Sequence, residues 1–560
     1  MARTQPNRDS TDRKSSLQGL WIHRVLFSVG VLILAWGGTT QVALGQNPPQ
    51  KEDPSSVAGI PMAVVTRPIP LRSDLTRIRH PVSSSDEEAR RFHEQGLTYL
   101  HLYGYLEAAR SFHQALRADP ELGQARVGLA LAYRALGDPE MALQAVEGLE
   151  VSRDAEPNPE DAWARIRLSL LQERSGREDS SHGDSAEAEL ERAVERHPEA
   201  VELRYLQATL ARGDDRVAGL QEVLRLAPDH VGAHHLLIHV FENREGELDR
   251  AVAHGAVLAS LAPGVAHARH MFGHNLRRVG RVQEAIREFE AAQTIERTLE
   301  EEENIPTRYD WHHGHNLALL GMSYHHQGRM EEAEAILTEL AELPAQSDRR
   351  WLGQNMNRVE LQLSLGRWDA ARESAERLLS RTDSLTRGVG HLYAGLADLG
   401  MGDPESAEQS LEQGSHHLPD GHPFNTHQEA LRALLSSEAG GSDSTESVGG
   451  EEDELLPLLS ELGSRRGPDA WAEAHIRKEV LARLAASQDN WARVQKVARS
   501  LREHDPTYAG GYAWEAVVED RVGAAPAAGE WATRALERWP LADEDLPGLQ
   551  EMKKLAGRAR

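Results

Sequence analysis

The chain has 560 residues, a formal net charge of −26, and 27 histidines but no cysteine. The lack of cysteine excludes disulfides, iron–sulfur clusters, thiolate zinc sites and a cysteine nucleophile. The acidic balance argues against a nucleic-acid partner, because phosphate binding needs a basic face. Histidine is unevenly distributed, since 13 of the 27 lie between His230 and His326.

Residues 1–45 have the layout of an export signal. Basic residues precede the apolar run Val25–Trp36, and Ala43–Gly45 offers a cleavage site of the small-x-small type. The alternative is an uncleaved signal anchor, because the apolar stretch reaches about 20 residues if it continues to that site. Both interpretations predict an extracytoplasmic protein, periplasmic or secreted, with membrane contact only through an uncleaved segment. Residues 46–85 are proline-rich, and we expect them to form an extended tether.

A period of 34 residues begins at about residue 86. Ala108 and Ala142 are 34 positions apart, and a small residue, Gly96 or Ala130, lies twelve positions before each. A small residue lets one helix approach its neighbour closely, and such helix pairs bury both apolar faces only when copies stack. Similar marks surround seven further alanines, namely Ala186, Ala218, Ala251, Ala285, Ala333, Ala371 and Ala407.

This pattern resembles the tetratricopeptide repeat. The resemblance implies an all-α fold, a right-handed superhelical solenoid of helix-turn-helix repeats, with about eight repeats in a domain at residues 86–435. Such solenoids present a concave groove, where we expect a protein or peptide partner. Residues 436–453 have the composition of a flexible acidic linker. For residues 454–560 we expect degenerate helical repeats and a capping helix.

The central repeats, residues 230–330, concentrate the histidines on the first helix of three consecutive repeats. Positions three, four and seven apart share one face of a helix, and in the family the first helices line the groove. The three sets are His235 and His239 with Glu242, then His267, His270 and His274, then His312, His313 and His315 with Asn316.

The first of these sets leaves a question of register. By the offsets counted from Ala285 and Ala333 in the next two repeats, His235 and His239 lie one residue away from the groove-facing positions. One extra residue in the turn 243–247 would restore the register. Otherwise His239 takes the place of a small packing residue.

Facing first helices lie about 8–10 Å apart, so their imidazoles can reach a common ion. We predict a metal site formed by His235, His239, His267, His270, His274 and His315. Without thiolates, such a site suits Zn²⁺, Cu²⁺, Ni²⁺ or non-haem Fe²⁺. Three ligands with an open position would make the site catalytic in type, with Glu242 and His315 as candidates for acid–base work.

The same block is similar to a His-rich bacterial subfamily of tetratricopeptide proteins related to the tetratricopeptide protein 38 group. The matching residues are His235, Ile238, His239, Glu242, Pro263, His267, His270, Met271, His274, Tyr309, His315 and Asn316. Phe272 and Gly273 depart from the subfamily, which often has Pro-Ser there. The resemblance implies a common site but no established reaction.

Three functions are consistent with these patterns. The leading hypothesis is an exported binding protein whose groove holds a partner and a His-lined metal or ligand site. The second is a metal-dependent enzyme, hydrolytic or oxidative. The third is a plain protein–protein scaffold without metal, in which the histidines provide a response to pH.

Overall fold

The computed structural model describes residues 56–150, 157–173, 185–345, 347–418, 422, 424–436 and 468–558. The predicted export signal and most of the predicted acidic linker lie outside this part of the chain. None of the helices within it is both long and apolar enough to cross a membrane.

The described residues form an all-α solenoid of helix-turn-helix repeats, which confirms the predicted fold class. A two-residue hairpin, β1 Ser56–Val57 with β2 Ile60–Pro61, and a short helix, α1 Met62–Val65, precede the repeats. Nine helix pairs follow, where about eight repeats were predicted. They are α2 Glu87–His101 and α3 Tyr105–Ala118, α4 Gly123–Leu136 and α5 Pro139–Ala145, α6 Pro159–Glu173 and α7 Ala186–Arg196, α8 Val201–Leu210 and α9 Gly213–Leu226, α10 Val231–Phe241 and α11 Leu248–Leu261, α12 Ala266–Arg278 and α13 Val282–Glu303, α14 Trp311–His326 and α15 Met330–Glu342, α16 Asp348–Ser364 and α17 Trp368–Leu379, and α18 Ser384–Gly400 and α19 Pro404–Ser415.

The remaining helices come after the repeats. They are α20 Asn425–Ser436, α21 Pro468–Ser487, α22 Trp491–His504, α23 Ala509–Arg521, α24 Ala525–Arg538 and α25 Leu549–Arg558. Within residues 468–558 these helices again pack in sequence, since α21 contacts α22, α23 contacts α24, and α24 contacts α25.

Small residues set the distance between the two helices of a pair. A Cβ atom placed on Gly273 would lie 2.8 Å from the ring of Phe289, and one on Gly321 would lie 2.6 Å from Leu337. Each glycine therefore allows the first helix of its pair to contact the second at the closest approach. We call the first helix of each pair an inner helix; consecutive inner helices contact one another, as α12 does α14 and α16 does α18.

The turn after α10 differs from its neighbours. Residues 242–247 separate α10 from α11, whereas only residues 279–281 separate α12 from α13, and residues 327–329 separate α14 from α15. This turn is three residues longer than the other two, whereas one extra residue was expected to restore the register. His235 and His239 lie beside His267 of α12, on the inner side of the array.

Residues 56–85 are the described part of the segment for which we expect an extended tether. This segment, which we call the strap, is irregular after α1 and is held against the repeats by hydrogen bonds of its backbone. The Arg110 guanidinium donates to the carbonyl oxygens of Arg67 at 3.1 Å and Pro68 at 2.6 Å. The amide of Thr76 donates to the carbonyl of Leu261 at 3.0 Å. Prolines favour the extended path, and the buried apolar side chains between them anchor it.

The C-terminal helices also pack back on the array. Helix α21 contacts the inner helices α14, α16 and α18. The loop after α24 meets the turn after α14, where the amide of Asp543 donates to the carbonyl of Gly328 at 3.1 Å. The inner helices therefore already contact parts of the same chain, and a protein or peptide in the groove stays a prediction.

We predict that Arg110→Ala releases the strap. The Arg110 side chain is 1% exposed and forms an ion pair with Glu303 at 2.6 Å, in addition to its two carbonyl contacts. Removing it takes the donor away from two carbonyl oxygens of the strap, at a cost of about 1–3 kcal/mol, while Arg72 still pairs with Glu303. Hydrogen exchange of the amides of Thr76 and Ile78 should accelerate. Arg225→Ala, which removes an exposed pair with Glu222, is the control. Unchanged exchange in Arg110→Ala would contradict this account of the strap.

Candidate metal centre

The six histidines predicted as ligands converge on the inner side of α10, α12 and α14. They form two groups of three, in each of which one ligating atom per residue lies within 4.8 Å of the others. The first trio is His235, His239 and His267, and the second trio is His270, His274 and His315. Both trios combine residues of two neighbouring inner helices, so their geometry depends on the packing of those helices.

The first trio directs its Nε2 atoms at one point. The Nε2 of His235 lies 3.1 Å from the Nε2 of His239 and 3.0 Å from the Nε2 of His267. The side chains of His235 and His267 are buried, and that of His239 is partly exposed. Three ring nitrogens from two helices therefore surround the same small volume.

The hydrogen bonds of the Nδ1 atoms determine which ring nitrogens of His235 and His239 carry protons. The Nδ1 of His235 donates to the carbonyl of His101 at 2.8 Å. The Nδ1 of His239 donates to the Oε1 of Glu242, also at 2.8 Å. In neutral rings a proton on Nδ1 leaves a lone pair on Nε2, so His235 and His239 face each other with two lone pairs. That contact is stable only with a positive charge between the nitrogens, either a proton or a metal ion.

The second trio lies one turn further along α12. The Nδ1 of His270 donates to the Oδ1 of Asn316 at 2.9 Å, and the Nδ2 of Asn316 donates to the carbonyl of Phe289 at 2.9 Å. The second bond fixes the orientation of the amide, so the Nε2 of His270 carries the lone pair. This atom and both ring nitrogens of His274 are buried without a hydrogen-bond partner. His315 is partly exposed.

His312 lies between the two trios. Its ring centroid is 5.0 Å from that of His267 and 4.5 Å from that of His270. Its Nδ1 donates to Glu296, and its Nε2 is buried without a partner. The Asp310 carboxylate caps α14 by accepting from the amide of His312 at 2.8 Å, which fixes where this helix begins.

Glu296 accepts hydrogen bonds from the Nδ1 atoms of two neighbouring histidines, His312 and His313. Its second oxygen accepts from the Nδ1 of His313 at 2.7 Å. Burial by itself raises the pKa of the Glu296 carboxyl, but the hydrogen bonds and charges of His312 and His313 outweigh it and lower that pKa. Glu296 is therefore an ionised carboxylate within the interior of the repeats.

Electrostatics favour neutral imidazoles in the trios. Burial, reinforced by neighbouring imidazoles, holds the pKa values of His235, His267, His270 and His274 well below 6.5. Neutral rings have a free lone pair, which is the form that binds a metal ion. The site thus combines several lone pairs with little competition from protons at neutral pH.

Aromatic rings close one side of the centre. Tyr103 adopts a left-handed backbone conformation with φ of +59°, and its ring centroid lies 4.5 Å from that of His235 and 5.3 Å from that of His267. The Trp311 ring lies 5.7 Å from His267 and 6.0 Å from His315. Such rings exclude water from one side of the imidazoles and keep their orientation.

Sequence reasoning did not identify Tyr103, Glu296 or the place of His312 between the trios. Tyr103 belongs to the first repeat, and no periodicity connects it with residues 130 positions later. Glu296 lies on α13, a second helix, where an acidic residue is ordinarily solvated. His312 was part of the recognised pattern, but its spacing alone did not separate it from His313.

Two other histidine clusters have a different chemistry. Glu202 accepts from the Nε2 of His101 at 3.0 Å and from the Nε2 of His230 at 2.8 Å. Asp505 accepts in the same way from His326 and His475, both at 2.9 Å. In each cluster the nitrogens that converge donate to a carboxylate, so these groups pair helices and need no ion. Neither trio has a carboxylate between its converging nitrogens, and this distinguishes the trios from these two clusters.

We predict that His274→Leu stabilises the metal-free protein. Both ring nitrogens of His274 are buried without partners, and a buried polar group without a hydrogen bond costs about 1–3 kcal/mol. Leucine has a similar volume and no such penalty. His313→Leu is the matched control and should destabilise, because it leaves Glu296 with one hydrogen bond fewer. Thermal unfolding in the presence of a chelator measures both. Equal destabilisation by the two substitutions would assign His274 a purely structural role.

Comparisons with known proteins agree with the repeat architecture. The sequence profiles of the tetratricopeptide repeat match residues 93–159 and residues 315–347. No curated protein matches the chain.

Several solved structures are similar at low sequence identity and low spatial agreement. The Cut9–Hcn1 hetero-tetramer of the APC/C is 10% identical, with 83% of this chain and 90% of that chain covered and a TM-score of 0.27. A monomeric IFIT1 mutant with Gppp-AAAA is 12% identical, with 74% and 90% covered and a TM-score of 0.33. Naa15/Naa10 bound to HypK-THB is 15% identical, with 84% and 66% covered and a TM-score of 0.25. By the family profiles, residues 93–159 and 315–347 of this chain are tetratricopeptide repeats.

Proposed function

We propose that this protein is an exported tetratricopeptide-repeat protein that binds two divalent transition-metal ions, one in each histidine trio. The observation that carries the proposal is the convergence of the Nε2 atoms of His235, His239 and His267 while the Nδ1 atoms of His235 and His239 donate outward. The export part rests on the sequence of residues 1–45.

The spacing of the nitrogens suits a metal ion. Zinc binds imidazole nitrogen at about 2.0–2.1 Å, so two ligands of a tetrahedral ion lie about 3.3 Å apart. The two Nε2 contacts of His235, at 3.0 and 3.1 Å, are close to this separation. A set of nitrogen ligands without sulfur fits Zn²⁺, Cu²⁺, Ni²⁺ or Fe²⁺ rather than Cu⁺.

The surrounding groups act as positioning residues. A histidine ligand ordinarily donates its other ring N–H to a carboxylate or a carbonyl, which raises its basicity and fixes its orientation. The carbonyl of His101 accepts from the Nδ1 of His235, Glu242 from that of His239, and Asn316 from that of His270. We therefore assign Glu242 to the support of His239 instead of to acid–base work.

One observation supports a metal-dependent enzyme as a candidate function beside a metal-binding interaction protein. Of the second trio, His315 lines a cavity that lies between α14 and α16. An ion bound by three protein ligands with space beside one of them keeps a position for water or a substrate. We propose a metal-dependent enzyme as the second candidate function, and a metal-binding interaction protein as the first. The motif shared with the tetratricopeptide protein 38 group supports the same site.

Metal analysis of protein purified without a polyhistidine tag tests the proposal. After incubation with Zn²⁺ and extensive dialysis, the wild type should retain two ions per chain. His235→Ala/His239→Ala and His270→Ala/His274→Ala should each retain one, because each removes two of three ligands from one trio. His416→Ala/His417→Ala, outside the centre, should retain two. A wild type without stoichiometric zinc, or a zinc content unchanged in both double variants, would refute the metal centre.

A further inference from the structure

The three rings of the first trio differ in what lies behind them. The Nδ1 of His235 donates to the carbonyl of His101. The Nδ1 of His239 donates to Glu242. The Nδ1 of His267, in contrast, is buried without a hydrogen-bond partner. Two of the three ligand candidates are therefore supported from behind, and His267 is not.

An ion in the trio would place a proton on this unsupported nitrogen. A neutral imidazole carries one ring proton, so a ring whose Nε2 binds an ion carries that proton on Nδ1. The Nδ1 of His267 would then be a buried N–H, and a buried donor without an acceptor costs about 1–3 kcal/mol. Since the atom is closed to water, its acceptor has to come from the protein.

The ring of His312 offers the missing acceptor. Its Nδ1 donates to Glu296, so the neutral ring has its lone pair on Nε2. That Nε2 is buried without a partner, as the Nδ1 of His267 is. Two ring nitrogens without partners thus belong to neighbouring imidazoles, and one proton between them would satisfy both.

The two rings are at the separation of hydrogen-bonded imidazoles. Their centroids lie 5.0 Å apart, with the ring planes at 83°. The rings of His235 and His267, whose Nε2 atoms are 3.0 Å apart, have centroids 4.8 Å apart and planes at 82°. The rings of His234 and His254, whose Nδ1 atoms are 2.9 Å apart, have centroids 5.1 Å apart. Rotation of the rings therefore suffices to join His267 to His312, without a shift of the helices.

The other rings around His267 have no acceptor to spare. The Nδ1 of His270 donates to Asn316, and its second nitrogen belongs to the second trio. The indole of Trp311 has only an N–H, which donates to the carbonyl of Tyr103. The ring of Tyr103 stacks on His267 with the planes 30° apart, and so presents its face to the imidazole.

We propose that His312 and Glu296 are positioning residues for an ion in the first trio. With the ion on the Nε2 of His267, the ring proton of His267 lies on Nδ1 and is donated to the Nε2 of His312, whose own Nδ1–H is donated to Glu296. This relay runs from α12 through α14 to α13 and ends on a carboxylate. Such support raises the basicity of a ligating imidazole and fixes its orientation. The relay rests on the proposed function for its ion.

The zinc affinity of the first trio tests the relay. It is measured by chelator competition in full-length His270→Ala/His274→Ala, in which the second trio has lost two of its three ligands. Adding His312→Leu should weaken zinc binding by about 10–100-fold. Adding His312→Gln should restore most of this loss, because an amide accepts from His267 through its oxygen and donates to Glu296 through its nitrogen.

His313→Leu is the matched control, since it also removes a hydrogen bond from Glu296 but lies outside the relay. It should leave the zinc affinity unchanged. An affinity unchanged in His312→Leu, or lowered equally by His313→Leu, would overturn the proposal. A loss as large in His312→Gln as in His312→Leu would assign the effect to packing and would overturn it as well.

Pulsed electron paramagnetic resonance adds a readout that a purely structural role does not move. In the Cu²⁺-loaded protein this method detects the remote nitrogen of each bound imidazole, whose signal depends on the hydrogen bond of its N–H. His312→Leu should change the signal of one imidazole, and His313→Leu should change none. A spectrum unchanged by His312→Leu overturns the relay alone. If the His270→Ala/His274→Ala protein takes up neither Zn²⁺ nor Cu²⁺, the ion of the first trio is refuted, and the relay with it.

Discussion

The stacking of closely packed helix pairs is the constraint on which the proposed metal centre depends. Gly273 and Gly321 leave no space for a Cβ atom, so α12 packs closely on α13 and α14 packs closely on α15. The stacking of the pairs then brings imidazoles from different repeats within hydrogen-bond distance, as the contact of 3.0 Å between His235 and His267 shows. Histidine rings at this distance have to share a proton or an ion. The repeat architecture thus sets the distance between neighbouring inner helices, and the histidines on those helices supply the nitrogen atoms of the proposed site.

Two groups that support these rings lie outside α10, α12 and α14. Glu296 on α13 accepts from two histidines, and the carbonyl of His101, from the first repeat, holds His235. The strap packs on the repeats through Arg110 of α3. The C-terminal part closes the inner side through Asp505, which pairs His326 with His475. A solenoid is ordinarily stabilised by neighbouring repeats alone, so these long-range contacts give this array an interior that a simple repeat protein does not have.

The sequence indicated the fold and the six ligand candidates because both follow from local periodicity. A small residue twelve positions before Ala108, Ala142, Ala285 and Ala333 marks a helix pair. Histidines at spacings of three, four and seven share a face of a helix. The packing of the strap could not be predicted, because proline content indicates an extended path but not whether that path is packed. Tyr103 and Glu296 could not be predicted, since their contacts with the centre are set by tertiary packing between repeats.

X-ray absorption spectroscopy of the zinc-loaded protein tests the central claim most directly, because it reports the ligands of the ion itself. The account predicts nitrogen or oxygen neighbours at about 2.0–2.1 Å, no sulfur, and the outer-shell scattering of about three imidazoles for each zinc. A spectrum with oxygen neighbours and no imidazole scattering would place the zinc on surface carboxylates. That result would contradict the metal centre of His235, His239, His267, His270, His274 and His315.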